Sequence, residues 1–214
     1  MNNTPEPSAQ ASQPDAGPFL FLADLLALDL VNTQIVVRGK PRDLLATPAD
    51  VARWWAAAGR QHPHMAAVQN GAALRLDDPA ALDELKRLRA ALRRIFNALA
   101  DGLAPPPDAV DGLNAVLRTG HPALEVTPSG ELHAVYRTLD HAHGPLLLPI
   151  ALSALAWLTA GNRRRLHRCA NPRCVLLFYD TTRSATRRWC SMGCMDRARS
   201  ARRYRQAKGE VLAK

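Results

Sequence analysis

The chain has 214 residues, of which 47% are hydrophobic and 22% charged, and its net charge is +9. That is enough apolar material for a packed core and too little bias for a wholly disordered chain, and the length suits one large domain or a medium domain with a small appendage. The positive balance points to an anionic partner, and it is localised. Residues 163–214 hold 15 basic and 3 acidic residues, net +12, whereas the remainder holds 13 basic and 16 acidic, net −3.

In chain order, residues 1–18 are polar, with several prolines and no basic residue. They predict a disordered leader rather than an export signal, so the reducing cytoplasm is the expected compartment. Asp24 is positioned to cap a helix through LLALDLVNT. Thr47 followed by Pro48, with Asp50 three residues on, is the grammar of a capping box, and VARWWAAA follows it up to Gly59. Trp54 and Trp55 are adjacent, so one is expected in the core and the other exposed. The same start signal recurs at Asp78-Pro79. There Leu82, Leu85, Leu88, Leu92, Ile95 and Leu99 form a stripe at spacings of three and four. Gly102 closes that helix, the prolines at 105–107 break the chain, and a shorter helix is predicted over 108–118. Two β-like runs around Pro128-Ser129-Gly130 predict a hairpin across 121–138. The longest apolar run, 145–160, falls short of the roughly 20 residues a membrane span needs and contains Pro149, so it predicts a buried helix. Gly161-Asn162 stops it.

All four cysteines lie beyond that point, at Cys169, Cys174, Cys190 and Cys194, spaced C-x4-C-x15-C-x3-C. Two close pairs separated by the length of a hairpin match a structural zinc site. A segment of about 45 residues buries little core, and a bound metal supplies the missing folding free energy. Two disulfides, four inert buried thiols or an iron–sulfur cluster are the competing readings. Disulfides require an oxidising compartment, and inert thiols do not explain the pairing among arginines.

These residues carry a resemblance. CANPRC, then LLFYDTTRSATRRWCSM, then a cysteine and an arginine-rich helix resemble the CGNR zinc finger. LALDLVNT and RGKPRDLLATPADVARWWAAAG resemble the opening of the ABATE domain found with it. The resemblance implies an α+β chain. It implies a mainly helical N-terminal domain with a β-hairpin, residues 19–160, expected to serve as sensor or dimerisation unit. It further implies a small treble-clef-like zinc-finger domain, residues 163–208, expected to bind DNA. It implies a bacterial, stress-linked transcription regulator. Where the family reads Cys-Gly-Asn-Arg, this chain reads Cys194-Met195-Asp196-Arg197, and the second cysteine pair is one residue tighter. Asp196 offers a capping carboxylate in place of the amide.

On a helical wheel Arg199, Arg202, Arg203 and Gln206 share an arc of about 100°. Ala198, Ala201 and Tyr204 lie opposite and suit packing on the zinc module. Guanidinium groups pair bidentately with phosphate or guanine, so this helix, with Arg197 beside it and Arg183, Arg187 and Arg188 from the preceding turn, is the expected contact with double-stranded DNA. RNA binding or protein interaction by the same module is the main alternative. In the N-terminal domain Asp29, Asn32, Thr33 and Arg38 are candidates to line a pocket for a small-molecule effector. They equally suit a helix end and a turn. His62/His64 and His141/His143 raise a second metal site only weakly. No phosphate loop, nucleophile elbow or dinucleotide fingerprint is present, so an enzyme is not expected. The corresponding alternative is a small-molecule-handling enzyme with a basic tether. A homodimer is a further expectation; a membrane partner is not.

Overall fold

The computed structural model describes residues 19–22, 24–62 and 74–212, with side chains as far as Ala207. The leader and His64 lie outside the described residues. Six helices occur among them: α1 (Leu26–Val31), α2 (Pro48–Gln61), α3 (Pro79–Ala100), α4 (Pro107–Leu117), α5 (Gly144–Ala160) and α6 (Met192–Leu212). They are joined by three two-stranded antiparallel hairpins: β1 (Gln34–Val37) with β2 (Lys40–Asp43), β3 (Gly120–Val126) with β4 (Leu132–Thr138), and β5 (Leu166–Arg168) with β6 (Leu177–Tyr179). None of the described helices is long and apolar enough to cross a membrane.

Short α1 lies at the centre, with all six of its residues buried. It packs against α3 and α5. The Asp24 carboxylate does not cap it. The helix starts after Leu25 without a side-chain cap, and the carboxylate lies 3.5 Å from His62 Nδ1 instead. The capping box at Thr47 forms as predicted, with the Thr47 hydroxyl accepting from the Asp50 amide and the Asp50 carboxylate from the Thr47 amide. Gly59 does not end α2, which continues to Gln61. Both Trp54 and Trp55 are buried, contrary to expectation. The buried positions Val51, Trp54, Trp55, Ala57 and Ala58 span an arc of about 160°, wide enough for two neighbours 100° apart.

The leucine stripe of α3 is buried as its spacing requires, and Arg89 is buried with it. Its guanidinium forks onto Asp43 at 2.6 and 2.5 Å and donates to the Thr33 hydroxyl at 2.8 Å. This ties the β1–β2 hairpin, absent from the sequence reading, to the core. Arg38 (φ 50°) and Gly39 (φ 80°) make its two-residue turn, the mirror-type geometry that matches strand twist.

The zinc-finger segment shares the core of the helical part. Leu166 and Leu177 belong to the main hydrophobic cluster. The Trp157 ring stands edge-on to Phe96 (5.5 Å) and to Tyr179 (6.1 Å), linking α3, α5 and β6.

Candidate metal centre and basic helix

Strands β5 and β6 flank the first cysteine pair rather than separating the two pairs, so the knuckle 169–174 sits at the open end of that hairpin. The Cys169 amide donates to Leu176 O (3.0 Å) and the Cys174 amide to Asn171 O (2.8 Å), which closes the turn. Asn171, buried, accepts from the Arg173 amide at 3.0 Å and donates to Cys194 O at 3.3 Å, tying the first pair to the second. The segment between the pairs is shaped by Asp180, whose fully buried carboxylate accepts from the Thr182 amide, the Thr182 hydroxyl and the Arg187 amide at 2.6–2.9 Å. Burial works to raise the Asp180 pKa, and these hydrogen bonds outweigh it and hold it below the usual carboxylate value. Helix α6 starts between Cys190 and Cys194. Ser191 caps it, its hydroxyl accepting from the Cys194 amide at 3.2 Å. Asp196, the expected cap, lies inside the helix and is exposed.

These elements bring the four sulfurs within 4.8 Å of one another, with Cys174 Sγ and Cys190 Sγ 3.8 Å apart. Zinc–thiolate bonds of about 2.3 Å in a tetrahedron require sulfurs about 3.8 Å apart. A disulfide requires about 2.05 Å, and all four cysteines are free. Leu176 and Phe178 pack against the cluster, and partly buried Leu22 and Trp189 flank it. Thiols this close compete for protons. The hydrogen bond from Cys190 holds Cys174 down at about 5, while that same contact, together with burial, pushes Cys190 upward. A divalent ion resolves the competition by taking all four as thiolates. With four protein ligands no position is left for a catalytic water, so the site is structural.

The arginines divide into two groups. Arg197 donates to Cys194 Sγ at 3.0 Å, and that sulfur raises the guanidinium pKa. Arg187 is half-buried, lies over the Phe178 ring at 4.9 Å and donates to the carbonyls of Trp189 and Cys190. Both hold the metal module together. Arg183, Arg188, Arg199, Arg202, Arg203 and Gln206 are exposed, with Arg188 over the Trp189 ring at 5.3 Å. Arg205, which the wheel did not select, is exposed as well. Ala198 and Ala201 are half-buried, whereas Tyr204 is 69% exposed and does not pack on the module, because α6 runs past its edge.

The four N-terminal pocket candidates also have places. Asn32 donates through Nδ2 to Leu177 O (2.8 Å), and its Oδ1 accepts from the Leu177 amide (3.1 Å), so one side chain serves β6 as a neighbouring strand would. Asp29 is buried against His62 Nε2 at 2.8 Å. Thr33 bridges Leu30 O and Arg89. Arg38 is exposed in the β1–β2 turn, away from this buried set. Arg93 reinforces the junction by donating to Val31 O, Gln34 O and Val175 O, and Arg168 forks onto Asp101 at 2.8 Å. Asn171, Asp180, Arg89 and Arg93 were missed in the sequence. Arg89 alone left a signal, as a charge on the stripe of Leu85, Leu88 and Leu92. His143 reaches Asp78 (3.3 Å) and Glu84 (3.2 Å), bridging α3 and α5.

The fold and the cluster together define a helical domain carrying a closed four-cysteine zinc finger with a basic helix. The sequence agrees: residues 24–161 match the ABATE model, described as "Putative stress-induced transcription regulator", and residues 165–207 match the CGNR zinc finger. The chain belongs to the ABATE family, and its C-terminal module is a CGNR zinc finger. Neither description is that of an enzyme. No curated protein matches the chain.

Proposed function

We propose that this chain is a DNA-binding transcription regulator of the cytoplasm, acting as a homodimer without catalytic activity. The zinc finger presents α6 to duplex DNA, and the helical domain answers a stress or small-molecule signal. One observation carries this reading: a metal-stapled core aims a helix whose exposed residues include Arg199, Arg202, Arg203 and Arg205. From Arg202 to Ala207 every described side chain of that helix is exposed. Four exposed arginines within seven residues make a concentrated positive charge, and a polyanion is the partner that charge selects. Docked in a major groove, α6 brings arginines to base edges, while Arg183 and Arg188 reach flanking phosphates.

Fluorescence anisotropy with labelled duplex DNA, titrated with salt, tests this. Six phosphate contacts predict a log–log slope near −5, a loss of about a thousandfold between 50 and 200 mM. A slope near zero overturns DNA binding, and equal or tighter binding to structured RNA shifts the reading to RNA.

A further inference from the structure

We infer that the β3–β4 hairpin is the surface through which two copies of this chain pair. In its register Pro122 faces Tyr136, Leu124 faces Ala134 and Val126 faces Leu132. Side chains alternate across a strand, so these six share one face. The opposite face carries Val135, fully buried against the helical body, and the Glu125–Arg137 ion pair at 2.9 Å. The six-residue face therefore points outward, and Leu124, Val126 and Leu132 on it are 68%, 65% and 67% exposed. These three side chains alone leave on the order of 400 Å² of apolar surface in water, comparable with the largest patch on an ordinary monomer.

The chemistry of the face selects its occupant. None of its six residues is charged, so it offers no ion pair to a phosphate backbone or to a charged ligand. Elsewhere the chain carries a net +9, and two copies approach with least repulsion where charge is absent. A two-fold interface must complement itself, which a short apolar ladder does without needing opposite charges. The patch is about half the roughly 800 Å² per partner of a standard interface, with exposed Ala134 and Pro122, the turn at 128–131 and the uncovered part of half-buried Tyr136 to add to it. That size belongs to the small, reversible end of the range of interfaces.

Sedimentation velocity on the zinc-loaded full chain, without nucleic acid, from about 1 to 200 µM tests this directly. The expected result is a concentration-dependent dimer. Leu124→Glu and Leu132→Glu should each weaken it by on the order of 100-fold, because a two-fold axis makes every substitution count twice. Both side chains are exposed, so melting temperatures should hold, and Leu124→Ser gives the same comparison should a glutamate disturb folding. Leu103→Glu, at a residue 64% exposed just beyond the end of α3, should leave association unchanged. A wild-type chain that stays monomeric over the whole range overturns the inference, as does a dimer that persists in the double variant. Neither result bears on DNA binding, which is measured separately.

Discussion

Replacing Asn32 by alanine tests whether the helical domain and the zinc finger are one cooperative structure. The amide of Asn32 makes two hydrogen bonds to the backbone of Leu177, at 2.8 and 3.1 Å, and both residues are buried. Alanine leaves one N–H and one C=O of Leu177 without a partner in a dry site, at about 1–3 kcal/mol each. A total of about 2–6 kcal/mol is a large share of the roughly 5–15 kcal/mol that holds a folded protein together. At about 2–4 °C per kcal/mol for a chain of this size, the melting temperature should fall by about 4–24 °C. Zinc should also be lost more readily, because Leu177 lies three residues beyond Cys174. Asn32→Asp should do no better, since it keeps an acceptor, removes the donor and buries a carboxylate beside a carbonyl. The assay is thermal denaturation in zinc-replete buffer, paired with chelator competition. A melting temperature within about 2 °C of wild type would refute the reasoning and return Asn32 to the role of a pocket-lining group.

Metal removal should act on the whole chain rather than on its tail. At a thousandfold excess over its dissociation constant, zinc stabilises by about 4 kcal/mol. A strong chelator should therefore lower the melting temperature in a single transition, and all four thiols should become alkylatable only after it is added. Arg197→Ala should speed zinc transfer to a chromogenic chelator, with partial recovery in Arg197→Lys, because the guanidinium neutralises charge at Cys194 Sγ. Arg202→Ala should leave zinc transfer unchanged and reduce the magnitude of the DNA salt slope by about 1. In acid, Asp43 is the group to follow. Burial raises its pKa, but the hydrogen bonds from Arg89 and the Leu45 amide outweigh that and hold it below the ordinary value. A depressed carboxylate contributes stability that is present above its unfolded pKa, about 3.9, and lost as pH falls below it. Melting temperature measured from pH 5 down to about 2.5 should fall in wild type and fall less steeply in Asp43→Asn.

Local features were legible wherever a few neighbouring residues decide the outcome. The capping box at Thr47 and the stripe of α3 are set by spacings of three and four, which are the helix's own period. The β3–β4 hairpin follows from two β-forming runs around a Pro-Ser-Gly turn. Errors arose where burial decides. Trp54 and Trp55 are both covered because the buried arc of α2 is wide enough to hold two adjacent residues, and Tyr204 stays exposed because α6 outruns the module it leaves.

The sequence alone determined that a metal-binding knuckle pair would precede a cationic helix, because cysteine spacing and charge are properties of the chain itself. Only the tertiary structure decided which arginines also serve the metal module. Arg187 and Arg197 look like their neighbours in the sequence, yet they are committed to Phe178, to backbone carbonyls and to Cys194. The junction likewise depends on Asn32 meeting a backbone 145 residues away and Arg93 meeting one 82 residues away. Contacts at that separation follow from how helices and strands stack, and no local pattern encodes them.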